Sequence, residues 1–265
     1  MSTDFTISDG VGWLTLARPE IRNALSSGEM LDGTLQAIRQ AESDPSVIVL
    51  VITGQGSAFS AGGNVREMQT REGMFGGTPE DLTESYRTTI QRLTRAMAAT
   101  DLVTIASVNG PAVGAGFDLA LACDLRLGST SARFAHTFID LGIIPGDGGA
   151  WILPRVVGWQ RAAELAFTAR FVDAEEAVLL GILIEAVEPA MLDARTRELA
   201  ALIASKPSHA VRLTKRLLRH ARTMDLEGFL ELSAAFQAIS HHTDAHIEAV
   251  DRYVTRWDSR RKDQE

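Results

Sequence analysis

Two stretches rich in glycine and other small residues could present backbone N–H groups to a ligand. They run from Gly54 to Asn64 and from Gly110 to Asp118, and each follows a predicted buried strand. Small side chains leave the backbone uncovered, which suits an anion or a developing oxyanion. The second stretch also leads into a predicted helix, whose free N–H groups and dipole point the same way. The two loops could converge on one oxygen atom, or their glycines could simply form tight surface turns.

Nucleotide chemistry is not supported by the second of these loops. It lacks the G-x-G-x-x-G spacing of a dinucleotide fingerprint, and no Gly-Lys-Ser/Thr follows it, as a P-loop would require. Phosphate transfer is therefore not predicted.

The elements that must position the loops are predicted from residue patterning. Residues Asp4 to Ala17 alternate apolar and polar around Asp9-Gly10, which predicts a β-hairpin. Ser26 with Glu29 has the spacing of a capping box for a helix that extends to about Gln40. The remaining predicted elements are buried strands over Ser46–Thr53 and Leu102–Val108, a helix start at Thr78–Asp81, a short helix over Asp118–Cys123, and about four helices from Pro189 onward, including Arg212–His220 and Glu227–Ile239.

Composition limits the class of protein. The chain has 265 residues, of which 45% are hydrophobic and 23% are charged, with no compositional break that would mark a linker. One large domain, or a core with an appendage, is expected. The net charge of −8 and the scattered basic residues, apart from Arg260, Arg261 and Lys262, argue against nucleic-acid binding.

Location is predicted from what the sequence lacks. Cys123 is the single cysteine, so an internal disulfide is excluded. No apolar stretch approaches the roughly 20 residues of a membrane span, and the chain does not start with a basic segment followed by an apolar one. We expect a cytoplasmic protein that does not contact membranes.

Several ordered motifs carry a resemblance to a known family. They are Leu16–Leu25, Phe59–Asn64, Asn109–Asp118, Leu141–Gly146 and Leu153–Arg155. In this order they resemble the crotonase superfamily of enoyl-CoA hydratases and isomerases, closely over residues 5–190 and loosely beyond. The resemblance implies an α/β (α+β) fold in which ββα repeats form a superhelix. Residues 1–190 would be the core with the coenzyme A site, and residues 191–265 a helical region packing between subunits of a homotrimer or a dimer of trimers.

The resemblance also implies the chemistry of the glycine loops. Enzymes of this family stabilise the enolate of a thioester, which requires hydrogen-bond donors at the thioester oxygen. By position in the motifs, these donors are the backbone N–H groups of Gly63 and Ala115. Residues matching the path of the acyl-CoA are Arg22, Ala24, Ala61, Gly62, Asn64 and Gly114. Arg22 could pair with a phosphate or be an exposed charge at a helix entry. Coenzyme A enters as part of the substrate, and no separate cofactor is expected.

The acid and base groups depart from the family pattern. Hydratases of the family use two glutamates that flank the double bond. The first matches Asp118, which keeps a carboxylate on a shorter stem, and the second falls on Phe138, which can transfer no proton. Asp147, in a loop where divergent members carry a catalytic aspartate, is the candidate replacement. The alternatives are that Asp118 only complements a helix dipole and that Asp147 only stabilises a turn.

Other residues are assigned by their neighbours. His136 and Asp140 lie near the Asp147 loop, and a histidine beside carboxylates could carry a proton or be structural. Trp151 could wall the acyl pocket. Trp13, Trp159 and Trp257 are expected to serve packing, and His241, His242 and His246 to lie on a solvated or interface face. No metal site is predicted, because no acidic partner with zinc spacing accompanies these histidines.

Three functions remain open from the sequence. The leading one is a hydratase-like lyase acting on an acyl-CoA thioester. The second is an enoyl-CoA isomerase or a C–C bond hydrolase that uses one aspartate, favoured by the loss of the second glutamate. The third is a catalytically reduced protein that only binds acyl-CoA, against which the retained glycine loops argue.

Overall fold

The computed structural model describes residues 2–26 and 28–262. It begins with the predicted hairpin, in which β1 (Thr3–Ser8) pairs antiparallel with β2 (Val11–Leu16). Asp9 and Gly10 have φ angles of 51° and 76°, so both turn residues adopt the left-handed conformation that Asp-Gly favours. The hairpin prediction is confirmed.

A mostly parallel sheet continues from the hairpin. The other strands are β3 (Val49–Gly54), β4 (Val103–Val108), β5 (Ala112–Val113), β6 (Leu125–Ser129), β7 (Arg133–Ala135), β8 (Val172–Asp173) and β9 (Glu185–Val187). Within the described residues, the larger sheet has the order β1-β2-β3-β4-β6-β9, and every pair after the hairpin is parallel. A smaller sheet has the order β5-β7-β8. The predicted strands over Ser46–Thr53 and Leu102–Val108 correspond to β3 and β4.

Helices surround the larger sheet. They are α1 (Gly28–Ser43), α2 (Val65–Thr70), α3 (Pro79–Thr88), α4 (Ile90–Ala99), α5 (Ala115–Ala122), α6 (Gly149–Val157), α7 (Trp159–Thr168), α8 (Ala174–Leu179), α9 (Leu192–Ala204), α10 (Ser208–His220), α11 (Leu226–His241) and α12 (Asp244–Lys262). The mixed α/β class and the C-terminal helices are as predicted. Helix α5 starts three residues before the predicted Asp118, because Gly114 ends the preceding loop.

Two helix starts test the capping predictions. At α3, Thr78 and Asp81 bond each other's backbone N–H groups in a complete capping box, as expected from the sequence. Ser26 does not start α1, which begins at Gly28, and the position between them lies outside the described residues. The Ser26 hydroxyl instead accepts the N–H of Asn64 at 2.9 Å and donates to a Glu67 carboxylate oxygen at 3.1 Å. The capping role proposed for Ser26 is therefore wrong.

The two faces of the sheet enter different apolar clusters. In β3, Leu50 and Ile52 point into the main core with α1, α4 and α5, while Val49 and Val51 point into a smaller cluster under α9. This alternation follows from the two-residue period of a strand. The sequence of a strand that is buried on both faces is a continuous apolar run, and this pattern made β3 predictable.

Polar contacts join helix α10 to the core. From α10, Lys215 pairs with Asp124 at 2.8 Å and donates to the carbonyl of Leu102, and Arg212 donates to the carbonyl of Val47 at 2.6 Å. No residue described in α11 is buried. Among the described residues, no helix is long and apolar enough to cross a bilayer.

The tryptophans divide into two groups. Trp13 packs under the guanidinium of Arg197, 4.3 Å from its ring centre, as expected of a packing residue. Trp159 and Trp257 have 78% and 57% of their surface exposed in the single chain. The prediction that they pack is wrong for the interior of one chain, because the helices that carry them turn these side chains outward.

Candidate active site

The two glycine loops dock against each other. Ser60 and Ala112 form a parallel β-bridge, and the N–H of Val113 donates to the carbonyl of Ser60 at 2.9 Å. Gly62 has φ 79°, and a Cβ added there would lie 2.4 Å from the Val113 carbonyl oxygen and 2.9 Å from the Ala115 nitrogen. A side chain at Gly62 would therefore force the loops apart. Their contact places the peptide between Gly62 and Gly63 beside the start of α5.

Two backbone donors on these loops are unused. Ala115 is the first residue of α5, where an N–H has no acceptor within the helix. Within residues 2–26 and 28–262, neither the Ala115 N–H nor the Gly63 N–H makes a hydrogen bond. Gly114 precedes Ala115 and has φ 53°, and a Cβ added to it would lie 3.6 Å from the ring of Phe138. The half-buried Phe138 thus borders the place where the two donors lie.

Asn23 fastens the first loop, although the sequence analysis did not single it out. Its buried side-chain amide donates to the carbonyls of Gln55 and Ala58 at 3.0 and 2.9 Å. Its Oδ1 accepts the N–H of Arg18 at 2.9 Å, and its own carbonyl accepts the Ser60 hydroxyl at 2.8 Å. Asn23 has φ 56°, a conformation that asparagine tolerates better than most residues. The residue type at this position was the signal available in the sequence.

Residues expected along the acyl-CoA path lie close together around this loop. The carbonyl of Arg22 accepts the N–H of Ala61 at 2.8 Å, and Ala24 is buried directly behind. The Arg22 side chain is exposed. Asn64 caps α2: its Oδ1 accepts the N–H of Arg66 at 3.1 Å and its amide donates to Glu67. The Asn64 side chain is therefore committed to the helix start, and contact of these residues with coenzyme A stays a prediction.

Asp118 and Asp147 form a buried pair of carboxyl groups. Each has 4% of its surface exposed, and their carboxyls lie within hydrogen-bonding reach of each other. The N–H of Gly149 also donates to Asp118. A Cβ added at Gly149 would lie 2.0 Å from Oδ1 of Asp118, so the carboxylate rests directly on the glycine backbone. The structure thus brings together the two aspartates that the sequence nominated separately.

Burial controls the titration of this pair. It raises the pKa of Asp118 to about 6, and hydrogen bonds from Asp147 and Gly149 oppose the rise. Burial, followed by the charge of Asp118, raises the pKa of Asp147 well above its ordinary value. Two neighbouring carboxylates cannot both ionise easily in an apolar site. The pair is therefore built to hold one proton near neutral pH.

The buried ring of His136 contacts the pair through Asp118. Its Nε2 lies 2.5 Å from Oδ1 of Asp118, and the ring is buried. The edges of Phe117 and Phe138 hold the ring at centre distances of 5.2 and 5.5 Å. Burial lowers the pKa of His136 to about 4, against the attraction of the Asp147 charge. Asp140 is exposed in the turn that follows and does not join this cluster.

Helix α4 holds the loop that carries Asp147. The Thr94 hydroxyl donates to the carbonyl of Asp147, and the Gln91 amide donates to the carbonyl of Gly146 at 2.9 Å. A narrow cavity beside both aspartates is walled by apolar side chains, which are Ile90, Leu93, Met97 and Leu119. The sequence analysis missed Gln91 and Thr94. The sequence clue to Gln91 and Thr94 was that both polar residues directly follow apolar residues at helical spacing, Ile90 and Leu93.

The other nominated residues lie outside this cluster. Trp151 is on the surface of α6, with the guanidinium of Arg155 3.8 Å from its ring centre and that of Arg222 at 5.7 Å. A role for Trp151 in an acyl pocket stays a prediction. Nδ1 of His241 lies 3.1 Å from Nε2 of His246. Among the described residues, no group of three or more metal-binding side chains is assembled.

The comparisons with known proteins identify the family of the chain. Residues 6–264 match the sequence model of the enoyl-CoA hydratase/isomerase family, and the chain belongs to that family. It is 32% identical over 250 residues to the 1,2-epoxyphenylacetyl-CoA isomerase of Escherichia coli (strain K12), covering 94% of each chain. It is 33% identical to a 4-chlorobenzoyl coenzyme A dehalogenase of an Arthrobacter species, covering 84% of this chain and 80% of that one.

The solved structures place the fold in the same family. The enoyl-CoA hydratase of Bacillus anthracis superposes with a TM-score of 0.89 at 29% identity, covering 97% of each chain. A putative enoyl-CoA hydratase of Streptomyces coelicolor A3(2) gives a TM-score of 0.89 at 33% identity, covering 97% of this chain and 92% of that one. The crotonase fold predicted from the sequence motifs is confirmed.

Proposed function

We propose that this enzyme binds an acyl-CoA thioester and stabilises its enolate with the N–H groups of Gly63 and Ala115. Support comes from the two unused donors, which lie on loops that dock tightly at Gly62. Donors fixed before the reaction need no reorganisation when charge develops, and each contributes about 3 kcal/mol to the transition state. The names of the relatives, which include CoA-ester isomerases, dehalogenases and hydratases, agree with a CoA thioester as substrate.

The observation that carries the proposed reaction is the buried pair of Asp118 and Asp147, which line one narrow cavity. One ionised and one protonated carboxyl supply a base and an acid side by side. The resemblance puts Phe138 where a hydratase of the family has its second glutamate, and phenylalanine transfers no proton. Acid and base chemistry is thus left to the pair of Asp118 and Asp147. This arrangement favours movement of a proton between two carbons of the acyl chain.

We therefore propose that the enzyme is an acyl-CoA double-bond isomerase. Asp118 removes a proton from one carbon, and the electron pair moves into the thioester, giving an enolate whose oxygen is bound by the two N–H groups. Asp147 then donates its proton to another carbon as the double bond forms in its new place. The proton taken by Asp118 restores the single proton of the pair. No cofactor beyond the coenzyme A of the substrate takes part.

Hydration is the second candidate, and the same pair supports it. Asp118 would remove a proton from a water molecule as the water adds to the β-carbon, while Asp147 would protonate the α-carbon. Relatives named as hydratases, among them a short-chain enoyl-CoA hydratase of Clostridium acetobutylicum at 31% identity, favour this reading. The two reactions share every group except the attacking water.

A panel of short, branched and aromatic enoyl-CoA esters separates these reactions by mass spectrometry and chromatography. Positional isomers without a change of mass support the isomerase, and gain of one water supports the hydratase. Turnover should be lost in Asp118→Asn and Asp147→Asn and kept in Asp140→Asn, whose side chain is exposed. Binding of the esters without turnover by the unaltered enzyme would contradict both reactions and leave a binding protein.

We also propose that the chain assembles as a homotrimer or a dimer of trimers. Large apolar side chains of the C-terminal helices lie in solvent in the single chain, and they include Leu226, Leu230, Ile247, Tyr253 and Trp257. A monomeric protein seldom keeps such a surface open. Analytical ultracentrifugation should give three or six times the mass of one chain, and Leu230→Glu should reduce it. A monomer at micromolar concentration would contradict the assembly.

A further inference from the structure

We propose that His136 is a positioning residue that donates from Nε2 to Asp118, and thereby makes Asp118 the charged member and Asp147 the protonated member of the pair. The base and the acid of the reaction would then be assigned before the substrate arrives. The catalytic consequence of this assignment rests on the proposed function. The positions of the protons on His136, Asp118 and Asp147 do not depend on the proposed function, and they can be measured without turnover.

The hydrogen bonds of the two aspartates are unequal. Nε2 of His136 lies 2.5 Å from Oδ1 of Asp118, whereas no histidine, lysine or arginine among the described residues forms such a contact with the Asp147 carboxyl. Among the described residues, one oxygen of each carboxyl has no partner, Oδ2 of Asp118 and Oδ1 of Asp147, so the difference between the two aspartates lies in His136. A carboxylate is stabilised by each donor that points at it. Negative charge is therefore better supported on Asp118 than on Asp147.

The surroundings of the ring select the tautomer. Nδ1 of His136 is buried, and no hydrogen-bond partner for it exists among the described residues. Buried N–H groups without an acceptor are rarer in proteins than acceptors without a donor. A hydrogen on Nδ1 would be such an orphan, whereas a hydrogen on Nε2 meets Asp118. A second proton would place a cation between the rings of Phe117 and Phe138 and would still leave Nδ1–H unpaired.

Few titratable groups face this cluster from the elements around it. Asp118 comes from α5, Asp147 from the loop before α6, and His136 from the segment after β7. Tyr86 of α3 lies nearby, where burial raises the pKa of its phenol. Among the described residues, no lysine or arginine forms an ion pair with either aspartate. His136 is therefore the side chain placed to decide which aspartate carries the charge.

Two variants separate positioning from packing. Glutamine can put an amide N–H near the position of Nε2, whereas phenylalanine keeps the ring volume and removes the donor. In His136→Phe, the Asp118 carboxylate loses a donor. The acidic limb of the pH profile of kcat/KM should move up by about one to two pH units, the range expected for one hydrogen bond to a charged group. In His136→Gln the limb should stay near its original position.

The positioning role would be overturned if both variants lost rate equally and the acidic limb of the pH profile of kcat/KM did not move. His136 would then be a packing residue. Circular dichroism and thermal unfolding of the assembled protein check that each variant folds. If His136→Phe fails to fold, the glutamine variant and the spectroscopic test below still decide.

Nitrogen-15 NMR of the unaltered enzyme tests the tautomer directly. The signals of His136 are identified by their loss in His136→Gln. We expect a neutral ring with hydrogen on Nε2 from pH 6 to 8, a window chosen around neutrality. A neutral ring with hydrogen on Nδ1, or an imidazolium at pH 7, would overturn the proposal. If no acyl-CoA is turned over but the Nε2–H form is found, the proposed function fails and the proton arrangement stands.

Discussion

Replacing Asp118 by asparagine should make the protein more stable at pH 7 while removing most of its activity. The amide has nearly the shape of the carboxylate. Its oxygen can accept from His136 and from the N–H of Gly149, and its nitrogen can donate to Asp147. The hydrogen-bond network would be kept, but the buried charge would be lost. Loss of the proposed base should slow turnover by about 10²- to 10⁴-fold.

The stability gain follows from the titration of the pair. The pKa of Asp118 is raised from an ordinary 3.8 to about 6. The folded state therefore binds more protons than the unfolded state between these values, and stability falls as the pH rises through that window. Each pKa unit corresponds to about 1.36 kcal/mol, so the ionised carboxylate costs about 3 kcal/mol at pH 7. Burial is the largest cause of the raised pKa of Asp147 and remains in the variant, so we expect Asp147 to stay protonated and this cost to disappear.

Urea unfolding between pH 4 and pH 7.5 measures the effect, with the denaturant midpoint followed by circular dichroism at fixed protein concentration. The advantage of Asp118→Asn over the unaltered enzyme should grow from near zero at pH 4 to about 3 kcal/mol at pH 7. Asp140→Asn is the matched control, since its exposed carboxylate should change stability by less than about 0.5 kcal/mol. If the curves of Asp118→Asn and the unaltered enzyme run parallel over the whole range, the reasoning about the buried charge is refuted.

Three further substitutions test the framework of the site. Gly149→Ala should displace the Asp118 carboxylate, lower the free energy of unfolding by about 1 to 3 kcal/mol and remove most of the activity. Gly28→Ala is the control and should do neither, because nothing lies within 4 Å of the added Cβ. Equal effects of the two substitutions on urea unfolding would contradict this prediction. Asn23→Ala should lower the free energy of unfolding by about 3 kcal/mol, because it leaves loop carbonyls without their donor, and an unchanged denaturation midpoint would count against the fastening role. Thr94→Val should cost about 1 kcal/mol and lower kcat with little change in KM, and a change in KM alone would contradict it.

The glycine loops of the candidate site were predictable from sequence because the proposed chemistry uses backbone N–H groups. Gly62 and Gly114 have positive φ angles and lie against other backbone segments or the proposed oxyanion position, so their residue type is dictated locally. The hairpin at Asp9 and Gly10 and the doubly buried strand β3 were predictable for the same reason, since turn conformation and apolar runs are local signals.

Contacts between distant segments were not predictable. Asp118 and Asp147 were nominated as acid and base groups from separate motifs, and His136 was expected near the second motif, but no local pattern showed that the three side chains meet in one buried cluster. The hydroxyl of Ser26 has a capping pattern, yet tertiary contacts direct it to the loop at Asn64. Trp159 resembles a packing residue by type alone, but only the packing of α7 shows that it faces outward.

The parallel order of the large sheet has a consequence for how the enzyme reaches its active form. Strands β2, β3, β4 and β6 pair only after long crossovers, and the groups of the site come from segments as far apart as Asn23 and Gly149. Such non-local pairing is slow, because chain closure precedes the contacts that reward it. Helices form much earlier than these contacts. After dilution from denaturant, helical signal should therefore return well before any catalytic activity, and a partly folded chain would expose the glycine loops with no carboxyl pair beside them.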